Sequence, residues 1–378
     1  MIRFLLALPL ALAGCATPSA GPGPSPLPVA EPVLHGQIDA ILTKGGITTA
    51  GIGVMRGGRL VFEHYHGDAG GTPANPDTRF DVASITKTVA AETYLRMVAA
   101  GQAELDTPLS RYWVDPDVQG DPRHRLLTAR MILTHRSGLP NWRLFRADRK
   151  LAFERNPGSG YGYSGEGIEY LWRAMERRHG ASFPVLADRY LLRPIGVTSA
   201  TLTVDRADRV NVALGVDEQG KRYDPGCRPG FCWPEGQWSA AGGMLITLRD
   251  YAKVMAAISD GGGYGIGLRR ERNRIVTDRG GESVVDCTQP RVICPKRQGY
   301  GLGFDMVDMG GRRTIGHEGG DWSQLTIAYS DLPSRDGLII FLNVPMRRGI
   351  APMRDLIALL DPDSPYAARF EKWAREGS

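Results

Sequence analysis

Ser84-Ile85-Thr86-Lys87 sets a hydroxyl and an ammonium group at positions i and i+3. On a helix the two side chains share a face, and at a helix start the dipole favours negative charge developing on the serine, so the pair can act as an activated nucleophile. Alone the pattern is weak, because a chain of 378 residues holds about one S-x-x-K by chance. Ser84 is, however, the only serine in the chain followed three residues later by lysine, and its apolar flanks put it at a buried helix start. Two further groups follow in order. Tyr163-Ser164-Gly165 comes directly after the loop sequence Pro157-Gly158-Ser159-Gly160-Tyr161-Gly162, and His317-Glu318-Gly319-Gly320 closes a short strand that begins with Thr314-Ile315-Gly316. Taken singly, each has a plain structural reading as a helix cap, a loop anchor or a satisfied histidine. Their order and spacing together point to nucleophilic catalysis with proton transfer.

Other chemistries find less support. Gly160 to Gly165 matches G-x-G-x-x-G, yet no strand precedes it, which removes a dinucleotide site. There is no G-x-S-x-G elbow, and His317-Glu318 has no second histidine at the H-E-x-x-H position. His135, beside the Ser137-Gly138 turn, is expected to hold a structural hydrogen bond. His64 and His66 share one face of a hairpin strand and are expected to face solvent. Trp233, Trp238 and Trp322 are candidates for lining a substrate cleft. No metal ligand set and no cofactor are expected.

These residues need elements to position them. Residues 51 to 66 alternate apolar and polar about Gly57-Gly58, so Gly51–Met55 and Leu60–Tyr65 read as a hairpin. Thr88 to Ala100 carries Val89, Tyr94, Leu95 and Val98 at helical spacing and stops at Gly101. Thr128 caps a helix over Ala129–Leu133, Ile168–Arg178 reads as another, and Leu248–Ile258 as a third. Late strands are expected at Leu302–Val307, Gln324–Tyr329 and Gly337–Asn343. The pattern is an α/β protein: one antiparallel sheet, built from 34–107 and 235–378, interrupted by an α-rich insertion over 108–234.

Composition agrees with a packed, loop-rich globule. Hydrophobic residues make 42%, with 48 Gly and 26 Pro, and 46 basic against 41 acidic residues give +5. No run of five basic residues occurs, so nucleic acid is not an expected partner. Arg3 precedes an apolar run from Phe4 to Ala13, of secretory length and too short to span a bilayer. Leu12-Ala13-Gly14-Cys15 resembles a bacterial lipobox. Residues 1–14 are therefore expected to be a lipoprotein signal peptide, with Cys15 lipidated and 15–33 a flexible tether rich in Pro, Ala, Gly and Ser. An ordinary signal peptide that carries a cysteine is the alternative. By likeness to Gram-negative lipoproteins, Ala16 rather than Asp after Cys15 favours the outer membrane over the inner. Cys227, Cys232, Cys287 and Cys294 remain, an even count that reads as two disulfides in an exported chain. Three connectivities are possible. Local pairing, Cys227 with Cys232 and Cys287 with Cys294, closes two short loops worth about 2 kcal/mol each, and neither spacing suits a zinc finger.

The whole set resembles the penicillin-recognising serine hydrolases, in the class C-like branch of β-lactamases, DD-peptidases, D-aminopeptidases and β-lactamase-type carboxylesterases. Ser84-x-x-Lys87, Tyr163-Ser164-Gly165 and His317-Glu318-Gly319 match the three motifs, supported by Leu127 to Pro140, Arg193 to Val197 and Ser239 to Met244. The resemblance covers about Ile38 to Val344. It implies a β-lactamase-like fold, Ser84 as nucleophile, Lys87 and Tyr163 as proton-transfer partners, and His317 as the third-motif residue. It also implies an oxyanion hole from the backbone N–H groups of Ser84 and Gly320. A lysine ammonium beside the Tyr163 phenol should lower the phenol pKa by about three units toward 7, before burial raises it. Gly165, Glu318 and Gly319 would line the substrate. Gly165 lacks the asparagine that contacts an acylamide, and Glu318 with Asp321 should repel an anionic substrate. The expected activity is carboxylesterase on short acyl esters in the cell envelope. The alternatives are a DD-peptidase or weak β-lactamase, and a catalytically inactive binding lipoprotein.

Overall fold

The computed structural model describes residues 27–376 apart from 208–209, 225, 280–286 and 288–293. The signal segment and Cys15 lie outside the described residues. Strand β1 (Thr49–Arg56) alternates Ala50, Ile52 and Val54 with Gly51 and Gly53. A Cβ at Gly51 would sit 2.9 Å from the Phe80 ring, and one at Gly53 would sit 2.8 Å from Leu60, so the glycines let the layer on that face approach closely. A turn at Gly57-Gly58, with φ of 57° and 80°, returns the chain as β2 (Arg59–Gly67).

After β3 (Arg79–Asp81) comes helix α2 (Thr86–Ala99), preceded by α1 (Glu31–Lys44) at the start of the fold. The middle segment carries α3 (Ala129–Leu133), where the Thr128 hydroxyl caps Met131 N–H, and α4 (Gly165–His179). Then follow β4 (Leu245–Thr247), paired with β3, α5 (Leu248–Asp260), β5 (Thr277–Asp278), β6 (Arg297–Tyr300), β7 (Asp305–Asp308), β8 (Arg313–Asp321), β9 (Gln324–Leu332) and β10 (Gly337–Asn343). Helices α6 (Met346–Leu360) and α7 (Pro365–Glu376) end the fold. The main sheet runs β2-β1-β10-β9-β8-β7-β6-β5, and its pairings are antiparallel. Strand alternation splits the core in two. Ala50, Ile52, Ile340 and Ile327 face α1, α6 and α7, while Phe341, Ile339 and Ala328 face α2, α5 and the helical segment. Among the described residues no helix is long and apolar enough to cross a membrane.

Several elements differ from expectation. The tether expected over 15–33 gives way to α1 at Glu31, whose Leu34, Ile38 and Leu42 are buried at helical spacing. The strand expected from Leu302 begins only at Asp305, because Gly303 takes φ 88° and donates to the Leu133 carbonyl at 2.8 Å instead of joining a ladder. His317 does not close a short strand; it lies inside the nine-residue β8. His64 does not face solvent. Helix α1 crosses that side of the hairpin, leaving the His64 side chain only 6% exposed.

Glu318 points into a buried ion cluster. Arg369 of α7, itself buried, donates to Asp305 Oδ2 at 2.7 Å and to Glu318 Oε2. Arg279 Nη1 lies 3.5 Å from Asp305 Oδ1 and 3.7 Å from Glu318 Oε1. Burial alone would push Asp305 up, but Arg369 and Arg279 outweigh it and hold the carboxyl below its ordinary range. Asp321 is likewise paired, with Arg228 at 3.0 Å. The expected repulsion of an anionic substrate by Glu318 and Asp321 therefore does not arise, because arginines neutralise both acids. Replacing Glu318 by Thr should leave two buried arginines with one carboxylate. We expect a loss of about 3 kcal/mol, read as a lower urea midpoint at unchanged slope. A midpoint equal to wild type would show that Glu318 does not balance the cluster.

Candidate active site

Ser84 occupies a single 3₁₀ turn, Ala83–Ile85, immediately before α2. Ala83 has φ 49°, a left-handed conformation that costs a non-glycine residue about 1 kcal/mol or more. Asp81 holds the turn by accepting from Ala83 N–H at 2.9 Å, and the Thr86 hydroxyl donates to the Ala83 carbonyl at 2.7 Å. The sharp entry aims the Ser84 hydroxyl out of the helix start.

One turn on, Lys87 is almost wholly buried. Its Nζ lies 2.9 Å from Ser84 Oγ and donates to the Ala241 carbonyl at 2.6 Å. Burial pulls its pKa down to about 7, against the opposing pull of the Glu169 carboxylate. Glu169, on α4, accepts from Ala241 N–H at 3.1 Å and from the Ser239 hydroxyl. It thus orients the segment whose carbonyl receives Lys87. Nothing in local spacing marks Glu169; the pairing joins residues 72 positions apart.

Tyr163 lies over Lys87, with Nζ 5.0 Å from its ring centroid, and its hydroxyl is hydrogen-bonded to Ser84. Its position is fixed from both sides by His135. Gly162 N–H donates to the His135 carbonyl at 2.8 Å, Ser164 N–H donates to His135 Nδ1 at 3.1 Å, and the His135 ring packs 4.5 Å from the Tyr163 ring. His135 itself adopts φ 51° and is held neutral by burial and by neighbouring cations. Its expected structural hydrogen bond is thus a bond that positions Tyr163. The Ser164 hydroxyl then caps α4 through Gly167 N–H at 2.8 Å. The expected lowering of the Tyr163 pKa toward 7 does not occur. Burial pushes the phenol up, and the hydrogen bond to Ser84 offsets only part of that. Lys87, brought down to about 7, is the neighbour of Ser84 that changes charge near neutral pH.

His317 enters from β8, its ring 6.0 Å from that of Tyr163. Burial, and then Lys87, pull its pKa down to about 3, so it is a neutral imidazole. Nδ1 engages the Glu318 carbonyl, and the buried Tyr300 hydroxyl lies 3.4 Å from Nε2. Gly319 is a packing requirement. A Cβ there would lie 2.7 Å from the Val82 carbonyl and 3.1 Å from Ser84 N, so only glycine lets β8 lie against the nucleophile turn. Gly320 follows, with its Cα side against Met346. Gly165 is covered in turn. A Cβ on it would sit 2.7 Å from the Trp142 indole, which fills the space an asparagine side chain would need.

Beside this cluster opens a cleft of about 470 Å³. Trp142, Trp113, Trp233, Trp238 and Trp322 line it, together with Gly242 and Gly243. The three tryptophans singled out in the sequence all border the cleft. Part of the rim is a two-residue hairpin, Cys227–Arg228 with Phe231–Cys232, joined by a Cys227–Cys232 disulfide. Cys287 and Cys294 are bonded to each other elsewhere.

The family model described as Beta-lactamase matches residues 34–347 of the chain. Among curated proteins, Esterase EstB of Burkholderia gladioli is 29% identical over 196 residues, 43% of this chain and 49% of that protein. The D-alanyl-D-alanine-carboxypeptidase/endopeptidase AmpH of Escherichia coli K12 is 26% identical over 216 residues, 49% of this chain and 55% of that one. The chain thus spans about half the length of these curated relatives. In fold it is similar to the octameric penicillin-binding protein homologue from Pyrococcus abyssi, with TM-score 0.69 at 19% identity over 88% of this chain and 78% of that one. It is also similar to a penicillin binding protein from Bacillus halodurans, with TM-score 0.66 at 19% identity over 86% and 98%. Ser84 and Lys87 at a helix start, Tyr163 above them and His317 on the facing strand sit in a mixed α/β fold of this kind, and the chain belongs to the beta-lactamase family.

Proposed function

We propose that the protein is a serine hydrolase that forms an acyl-enzyme on Ser84 and cleaves uncharged carboxylic esters. The observation that carries this reading is the buried Lys87 amine, brought to a pKa of about 7 and set 2.9 Å from Ser84 Oγ. The neutral amine takes the Ser84 proton as Oγ attacks the ester carbonyl. The N–H groups of Ser84 and Gly320 stabilise the oxyanion. Tyr163, a neutral phenol, passes a proton to the departing alcohol and regains one from Lys87. Water then repeats the sequence on the acyl-enzyme, releasing the acid and restoring Ser84.

Two features support an uncharged substrate. The third-motif residue His317 is neutral and brings no cation to a substrate carboxylate, and Arg279 and Arg369 are already engaged by Asp305 and Glu318. Trp142 over Gly165 leaves no side chain to receive an acylamide, and five tryptophans of the adjoining cleft offer apolar surface to the rest of an ester. The similarity to Esterase EstB points the same way. The similarity to the carboxypeptidase/endopeptidase AmpH favours the DD-peptidase alternative. We place the enzyme in the periplasm, held to the outer membrane through lipid on Cys15, on the strength of Leu12 to Cys15. Its substrate there is a small-molecule or envelope-derived ester, and no cofactor takes part.

Ser84→Ala should abolish turnover, a loss of at least roughly three orders of magnitude in kcat, with thermal unfolding unchanged. Clear residual activity in protein free of other hydrolases would remove Ser84 from the mechanism. Because burial lowers Lys87, its neutral fraction grows as pH rises through about 7, so kcat/KM should climb along a limb centred near that pH. Tyr163 is pushed up and His317 is down near 3, so neither titrates in that window. A profile flat from pH 5 to 9 would contradict the assignment of Lys87 as base. Wild type should turn over nitrophenyl acetate at a kcat/KM roughly two orders of magnitude above nitrocefin. His317→Lys, which supplies the missing cation, should shift that ratio toward nitrocefin. A wild-type preference for nitrocefin, or a ratio unmoved by the substitution, would favour the lactamase or peptidase reading.

A further inference from the structure

On the sheet face opposite Ser84, α1 and β2 bring four ligating side chains together. His35 and Asp39 stand at i and i+4 on α1, and His64 and His66 at i and i+2 on β2; both spacings put a pair on one face. Asp39 Oδ1 lies 2.8 Å from His66 Nδ1 and 3.1 Å from His64 Nε2. One ligand atom from each of the three residues falls within 4.8 Å of the other two. In a tetrahedral zinc site, ligand bonds of about 2.0 to 2.2 Å put neighbouring ligand atoms about 3.3 Å apart, so two of the three edges are already close to closed.

The surroundings have the order such a site needs. His64 is buried, which holds its ring in place with Nε2 facing Asp39 Oδ1. Its second nitrogen, Nδ1, is 2.7 Å from His35 Nδ1. With Nε2 on a metal, His64 carries its proton on Nδ1 and donates it to His35. His35 then carries its own proton on Nε2, the edge facing Glu31 Oε1 at 3.8 Å. An outer partner fixing the tautomer of a ligating histidine is the usual companion of a metal site. Asp39 and His66 are partly exposed, at 51% and 19%, which gives an ion access and leaves a fourth position for water. Two imidazoles and one carboxylate suit Zn²⁺ among the common divalent ions.

We propose that Asp39 Oδ1, His64 Nε2 and His66 Nδ1 bind one Zn²⁺ that ties α1 to the edge strand β2, with His35 as the positioning residue behind His64. His64 and His66 alone are only a pair, which is why the sequence suggested no metal site; α1 supplies the rest. The test uses the full chain after chelator treatment. Zn²⁺ titrated against a chromophoric chelator should bind at one equivalent, Co²⁺ should give the visible absorption of a four-coordinate site, and Zn²⁺ should raise the thermal unfolding midpoint. Asp39→Asn and His66→Gln, at exposed positions that tolerate change, should each remove the cobalt spectrum and the Zn²⁺-dependent rise. His35→Gln should weaken Zn²⁺ by roughly 10- to 100-fold while keeping the spectrum. Wild type that binds no stoichiometric Zn²⁺ would make this a hydrogen-bonded cluster and overturn the proposal. Zn²⁺ binding that persists unchanged in Asp39→Asn and His66→Gln would overturn it equally.

Discussion

An amine taken out of water must give up its proton near neutrality or meet a full counter-charge, and Lys87 sits between the two. It is buried at the base of α2, with a carbonyl at 2.6 Å and a hydroxyl at 2.9 Å as its hydrogen-bond partners. The carboxylate that could hold it charged, Glu169, is turned toward Ala241 N–H and the Ser239 hydroxyl. Burial therefore wins and brings the amine down to about 7, in the sense that frees a base at neutral pH. Had Glu169 been aimed at Nζ directly, the same two residues would have formed a buried ion pair with no basic character.

The neighbouring elements follow from keeping that site dry. Helix α2 is buried along almost its whole length, and β8 seals one side of the nucleophile turn, which it can do only because Gly319 has no side chain. Tyr163 and the pair His135 and Tyr300 close the opposite side with tilted and edge-on rings. The same dryness silences His317 and raises Tyr163, so a single physical cause sets three protonation states in one small volume.

What could be read in the sequence was local. The hairpin about Gly57-Gly58, the presence of α2 and α4, and the order of Ser84, Lys87, Tyr163 and His317 all follow from spacing and turn residues within a few positions, although α4 begins at Gly165 and not at Ile168. What could not be read was settled by partners distant in the chain. Glu318 looks like a free acid until Arg369, 51 positions later, arrives from α7. Gly165 looks like an open gap until Trp142 fills it, and His64 looks exposed until α1 covers it. The direction of the Tyr163 shift depended on how completely the ring is enclosed, and enclosure is a property of the assembled fold, not of a motif.

Strand β1 has its hairpin partner β2 on one side and β10 on the other, and Thr48 donates to the Asn343 carbonyl across 295 positions of chain. The first strands made are thus the edge of the sheet and its inner neighbour, and the next member lies 295 positions further along the chain. Until β10 arrives, the hairpin presents an open, apolar edge on β1, the kind of surface that pairs with other chains. High sequence separation also makes closure slow. The chain must grow by 295 positions with the inner side of this hairpin unzipped, and its yield in a cell will depend on what shields that edge meanwhile.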